Sequence, residues 1–179
     1  MTRKKRPHGP GWITPKAIKA GIQAELVPAA LALGWVPRAD RPARRGRGVY
    51  NELEFQRRGP DRIERIGLDF EYGKRPDVGM TIAVWTGANG ACTRFESGNC
   101  WNKDLYLTPW LWVWELIRRK PSPEERLAEV LATGRRRLQI VERYLREGVK
   151  HPDLWIFPTE PPHRWPDDAA LAEDVAGGG

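Results

Sequence analysis

Four carboxylates stand at alternate positions in two neighbouring stretches of the sequence: Glu52, Glu54, Asp69 and Glu71. Successive side chains of a strand point to opposite faces, so these four share one face if both stretches are strands that pair in a suitable register. Carboxylates clustered in this way bind divalent cations and activate water in nucleases and other hydrolases. Alternating charges are also typical of a strand face that simply meets water, and this is the interpretation we prefer.

Basic residues form several clusters, and the formal net charge of the chain is +7. The segment from Pro37 to Gly48 is predicted to be a loop, and its arginines would contact phosphates if they converged on one surface. A solvated connector is the other interpretation of this loop, and it is the one that we prefer. The sequence predicts the following binding residues for a macromolecular partner: Arg44, Arg45, Arg47, Arg57, Trp85, Arg119 and Arg136.

No stretch of the chain has a specific catalytic or cofactor signature. Two cysteines and three scattered histidines lack the spacing of a zinc site. A nucleophile elbow and a phosphate-binding glycine loop are also missing from the sequence. We therefore predict no catalytic residue and no cofactor. Cys92 and Cys100 are expected to be two separate thiols, although a disulfide between them stays open.

The stretch from Asn51 to Thr86 contains the strands that would position these side chains. Its two halves flank a turn at Arg58–Asp61, and a third strand is predicted at Met80–Thr86, followed by an edge strand at Cys92–Phe95 and a turn at Ser97–Asn99. The alternation of polar and apolar residues predicts one buried face. Its members are Leu53, Phe55, Ile66, Leu68, Phe70, Tyr72, Met80, Ile82 and Val84.

Helical patterns lie on both sides of this stretch. Thr14 and Pro15 begin the first helix, which Pro28 should kink near Ala24–Pro28. A second helix is predicted at 109–120, and a third begins at Ser122 and ends at Gly148. The fold class predicted is α+β, with an antiparallel sheet of three to five strands covered by an N-terminal helix and a C-terminal helical hairpin. Residues 1–12 are expected to form a flexible basic arm, 13–165 a single domain and 166–179 a disordered acidic tail.

The first helix ends in Gly34 and Trp35, and a later strand has the pattern Leu53, Phe55, Gln56. Over about residues 16–90 the chain resembles a bacterial family known as domain of unknown function 4304, whose members share these short motifs. The resemblance implies a small α+β fold. It implies no catalytic residue, because the family has no established activity.

The function predicted is that of a non-catalytic binding protein of the bacterial cytoplasm with a macromolecular partner, a protein or a nucleic acid. The alternatives are a nucleic-acid-binding module that uses the arginine-rich loop and arm, and a metal-dependent nuclease or other hydrolase. No apolar run approaches the ~18 residues that span a bilayer, and Pro7 to Gly11 interrupt any signal peptide. We therefore predict no membrane association.

Overall fold

The computed structural model describes residues 12–38, 50–71, 76–88, 91–100 and 121–159. These residues form an antiparallel sheet of six strands whose spatial order is the order of the chain. The strands are β1 (Val36–Pro37), β2 (Tyr50–Arg58), β3 (Arg62–Glu71), β4 (Asp77–Ala88), β5 (Ala91–Cys100) and β6 (Leu154–Thr159). Helices cover one face of this sheet, and the hydrophobic core lies between them and the strands.

The register of the strands confirms the predicted apolar face. Leu53 lies opposite Leu68, and Phe55 lies opposite Ile66. Continuing across the sheet, Leu68 is opposite Met80 and Ile66 is opposite Ile82. Leu53 packs against the core cluster, and the other side chains belong to it, as do Phe70 and Val84. Tyr72 lies outside the described residues. The predicted turn at Arg58–Asp61 is present, since Gly59 N donates to Arg62 O at 2.7 Å.

The N-terminal helix consists of α1 (Pro15–Gly21), a π-helical turn (Ile22–Leu26) and α2 (Val27–Ala32). Thr14 is the N-cap, as predicted, with its hydroxyl oxygen accepting a hydrogen bond from Ala17 N at 3.2 Å. Pro28 has no N–H, so a regular helix would leave a carbonyl one turn earlier without its donor. The wider π turn directly before Pro28 accommodates this irregularity, and it lies where the sequence predicts a kink.

The long helix α3 (Pro123–Glu147) packs across the covered face of the sheet. It begins with the predicted capping box, in which Ser122 and Glu125 bind each other's backbone N–H, and it ends at Gly148 in the left-handed conformation, φ 71°. A β-carbon at Gly134 would lie 2.8 Å from Leu26 Cδ1. This glycine therefore allows the N-terminal helix to approach α3 closely.

The prediction of three to five strands covered by an N-terminal helix and a C-terminal helical hairpin is wrong. The described residues contain six strands, and after the N-terminal helix they contain one further helix, α3, which lies between β5 and β6 in the chain. β1 is too short for alternation to be recognised, and β6 begins with four consecutive apolar residues, Leu154–Phe157, which show no alternation. The predicted helix at 109–120 lies outside the described residues, as do residues 1–11 of the arm and the whole tail.

Candidate functional site

The predicted binding residues do not come together in the part of the chain that is described. Arg57 lies on the helix-covered face of β2, and Trp85 lies on the opposite face of the sheet. Arg136 is on α3, with its Nη2 3.6 Å from Asp153 Oδ2, beside β6 at the far side of the sheet from β2. The other predicted members, Arg44, Arg45, Arg47 and Arg119, lie outside the described residues.

Two of the four predicted carboxylates have described side chains. Glu54 and Asp69 lie on the face of the sheet opposite the described helices, and Glu54 Oε2 is 3.9 Å from Arg38 Nη1. The side chains of Glu52 and Glu71 are not among those described. Within the described residues, no group of three or more metal-ligating side chains is arranged to hold an ion. The hypothesis of a metal-dependent hydrolase therefore gains no support from this arrangement.

Trp85 is packed into the sheet, with 8 % of its surface exposed. Its ring centroid is 5.1 Å from that of Phe95, and the Arg65 guanidinium lies 4.8 Å from the Trp85 ring. Arg65 is itself held by Gln56, whose Oε1 accepts from Arg65 Nε at 2.9 Å. A ring enclosed in this way offers no free face on which a base or another ligand could stack.

Arg57 forms the centre of a polar network at one end of the core. Its Nη1 donates to Glu142 Oε1 at 2.7 Å and to Leu33 O at 3.2 Å, and its Nε donates to Glu64 Oε2 at 2.7 Å. The guanidinium also lies 4.5 Å from the ring centroid of Trp35, whose Nε1 donates to Glu142 Oε2. These contacts join β2, β3, α3 and the end of the N-terminal helix. Arg57 is therefore held by its own chain, and its main role is structural.

Glu142 and Arg57 remain ionised in this network. Burial raises the pKa of Glu142, but hydrogen bonds from Arg57 and Arg146 lower it more, so the net shift is downward. Burial lowers the pKa of Arg57, but its hydrogen bonds to Glu142 and Glu64 raise it by more, so the net shift is upward. Each charge thus stabilises the charged form of its neighbour, and the network presents fixed charges to the surface beside it.

An open groove of about 470 Å³ lies beside this network, between the β2–β3 turn and the C-terminal end of α3. Four arginines from three elements line it: Arg57, Arg58, Arg62 and Arg146. Asp61 and Glu64 are its acidic lining residues, and Leu33 and Leu145 supply apolar surface. Of these lining residues, only Arg57 is among the binding residues predicted from the sequence. The others were missed because only the fold brings strand ends and a helix end together.

Two of these arginines form ion pairs with carboxylates of the network. Arg62 Nε lies 2.8 Å from Glu64 Oε1, and Arg146 Nε donates to Glu142 Oε1. Side-on contacts of this kind occupy one edge of a guanidinium, and within the described chain they are the ion pairs that these two side chains make. A planar guanidinium has five N–H donors, so one such contact leaves each side chain with further donors for an acceptor. The groove is therefore suited to carboxylates or other anions.

Cys100 should be unreactive in the folded protein. Both cysteines are free thiols, with Cys92 half-buried and Cys100 buried. Burial raises the pKa of Cys100 from 9.0 to about 11, so its nucleophilic thiolate is scarce near neutral pH.

We expect a disulfide-forming thiol reagent at pH 8 to titrate one thiol rapidly and the second only in denaturant. The same shift should make stability fall as pH rises from about 9 towards 11, because the folded state keeps the proton longer.

Two variants separate these thiols. Cys92→Ala should abolish the rapid reaction, and Cys100→Ala should remove its share of the alkaline loss of stability. Equal reaction rates for the two thiols in the native protein would contradict the prediction.

In the part of the chain that the structure describes, no helix is both long and apolar enough to cross a membrane. Comparisons with protein-family models, with curated proteins and with solved structures found no match. Membership of the family known as domain of unknown function 4304 therefore stays a prediction.

Proposed function

We propose that the protein is a binding protein, and that it holds an anionic segment of a macromolecular partner in the arginine-lined groove. The observation that supports this proposal most directly is the convergence of Arg58, Arg62 and Arg146 on one open concavity, beside Arg57, which the network holds in place. Arginine is enriched at protein interfaces because its planar group forms paired hydrogen bonds at a low cost of desolvation.

The network behind the groove supports the same proposal. Arg57, Glu64 and Glu142 fix one another, so Arg62 and Arg146 are held in position from behind by Glu64 and Glu142. Binding sites that are ordered before the ligand arrives lose less conformational entropy on association. The open shape of the groove suits an extended chain that lies across it rather than a small enclosed molecule.

The proposal predicts that Arg58 and Arg146 are needed for anion binding. We expect the double variant Arg58→Ala/Arg146→Ala to bind a fluorescein-labelled glutamate homopeptide about tenfold more weakly than the unchanged protein, since exposed ion pairs contribute about 0.2–1 kcal/mol each. Fluorescence anisotropy at low salt is the measurement.

Arg143→Ala is the matched control. Arg143 is on the same helix, is similarly exposed and also pairs with a carboxylate four residues away, but it does not line the groove. Its variant should bind the homopeptide as the unchanged protein does. If the double variant also binds with unchanged affinity, the groove is not the site.

A further inference from the structure

Building on the proposed function, we infer that the partner is a protein, and that the groove takes an extended peptide in which acidic and apolar residues alternate. The supporting observation is that guanidinium groups and apolar side chains lie side by side on one concave surface. Leu33 and Leu145 line the groove together with the four arginines.

The charge balance of the groove favours an acidic peptide over a nucleic acid. Its four arginines face Asp61 and Glu64 as lining residues, and Glu142 lies directly behind, within hydrogen-bonding distance of Arg57. A nucleic-acid strand brings a negative charge with every nucleotide, so it needs an extended excess of cations that release counterions. A peptide with separated carboxylates can place them at Arg58, Arg62 and Arg146 and keep them away from Asp61.

The surroundings of the groove support the same choice. Among its described lining residues there is no aromatic ring, although stacking on aromatic side chains supplies much of the affinity for single-stranded nucleic acid. Along α3, Arg135 and Arg136 pair with Glu25 and Asp153. These two arginines do not line the groove, so they do not extend its positive surface.

Apolar side chains of such a peptide would find surface at one wall. Leu33 is half-buried at the end of the N-terminal helix, and Leu145 is part of the core below it. Burying one further aliphatic side chain against this wall adds a favourable contribution that a purely acidic ligand cannot obtain. Specificity for alternating residues follows from this combination of charged and apolar contacts.

Three labelled probes with equal numbers of negative charges test the inference. One is a peptide of alternating glutamate and leucine, the second replaces every leucine with serine, and the third is a thymidine oligonucleotide. We expect the glutamate–leucine peptide to bind about tenfold more tightly than the other two, because one buried aliphatic side chain supplies roughly that factor. Leu33→Ser should remove this preference while affinity for the glutamate–serine peptide stays unchanged.

Leu31→Ser is the control for that variant, because Leu31 is an exposed leucine on the same helix that does not line the groove. Equal affinity for the two peptides, or tighter binding of the oligonucleotide, would overturn the inference. In either case the proposed function still stands if Arg58→Ala/Arg146→Ala weakens binding. Binding that this double variant leaves unchanged would overturn the proposed function itself, whichever probe binds best.

Discussion

Arg57→Ala should lower the free energy of unfolding by about 3 kcal/mol, the scale expected when a mostly buried ion pair loses one partner. The Glu64 and Glu142 side chains are only 8 % and 9 % exposed, and both depend on the Arg57 guanidinium for a hydrogen bond. In the Arg57→Ala protein both carboxylates stay largely shielded from water but lose this hydrogen-bond donor, which is unfavourable. The substitution also removes the cation–π contact with Trp35. Urea denaturation followed by tryptophan fluorescence is the measurement.

Two other substitutions make this experiment specific. Arg57→Lys keeps the charge but loses the forked geometry, so it should recover only part of the stability. Arg143→Ala removes an ion pair whose side chains are 65 % and 58 % exposed, and it should change stability by no more than about 0.5 kcal/mol. An Arg57→Ala protein as stable as Arg143→Ala would show that the network contributes little to folding.

Gly98→Ala should destabilise the sheet at its β5–β6 border by about 2–3 kcal/mol, the usual range for overpacking. A β-carbon at this position would lie 2.4 Å from the backbone oxygen of Trp155 and 2.8 Å from Ile156 Cδ1. Because a carbonyl oxygen of the adjacent strand cannot rotate away, the two strands must separate locally. Hydrogen exchange should accordingly accelerate at the amides of β6 more than at those of β3 and β4.

Asn99→Ala is the control, since Asn99 is the next residue of β5, points to the opposite face and is exposed. This variant should have nearly unchanged stability and exchange. Uniform acceleration of exchange in all strands after Gly98→Ala would contradict a local opening at β6.

The same glycine explains one limit of the sequence analysis. Ser97-Gly98-Asn99 has the composition of a turn, and the sequence predicts a turn there. In the structure these residues continue β5, and the glycine is required by a neighbouring backbone rather than by a bend. Close approach between strands that are distant in sequence depends on the tertiary fold. The local composition therefore predicts a turn where the structure has a strand.

Elements specified by local physics were predicted well. The alternation in β2 and β3, the cap at Thr14 and the capping box at Ser122 all follow from nearby residues. The groove could not be found in this way. Arg62 and Arg146 are unremarkable in the sequence, and only the packing of α3 across the ends of β2 and β3 places them together.

The order of the strands has a consequence for how the chain assembles. Each of the pairings from β2 to β5 joins strands that follow one another closely, so these hairpins can form early from local contacts. The pairing of Cys100 with Leu154 instead closes a loop that contains all of α3. Loop-closure entropy opposes this step until the helix has docked, so β6 is expected to join last and to complete the sheet after the rest of the core is in place.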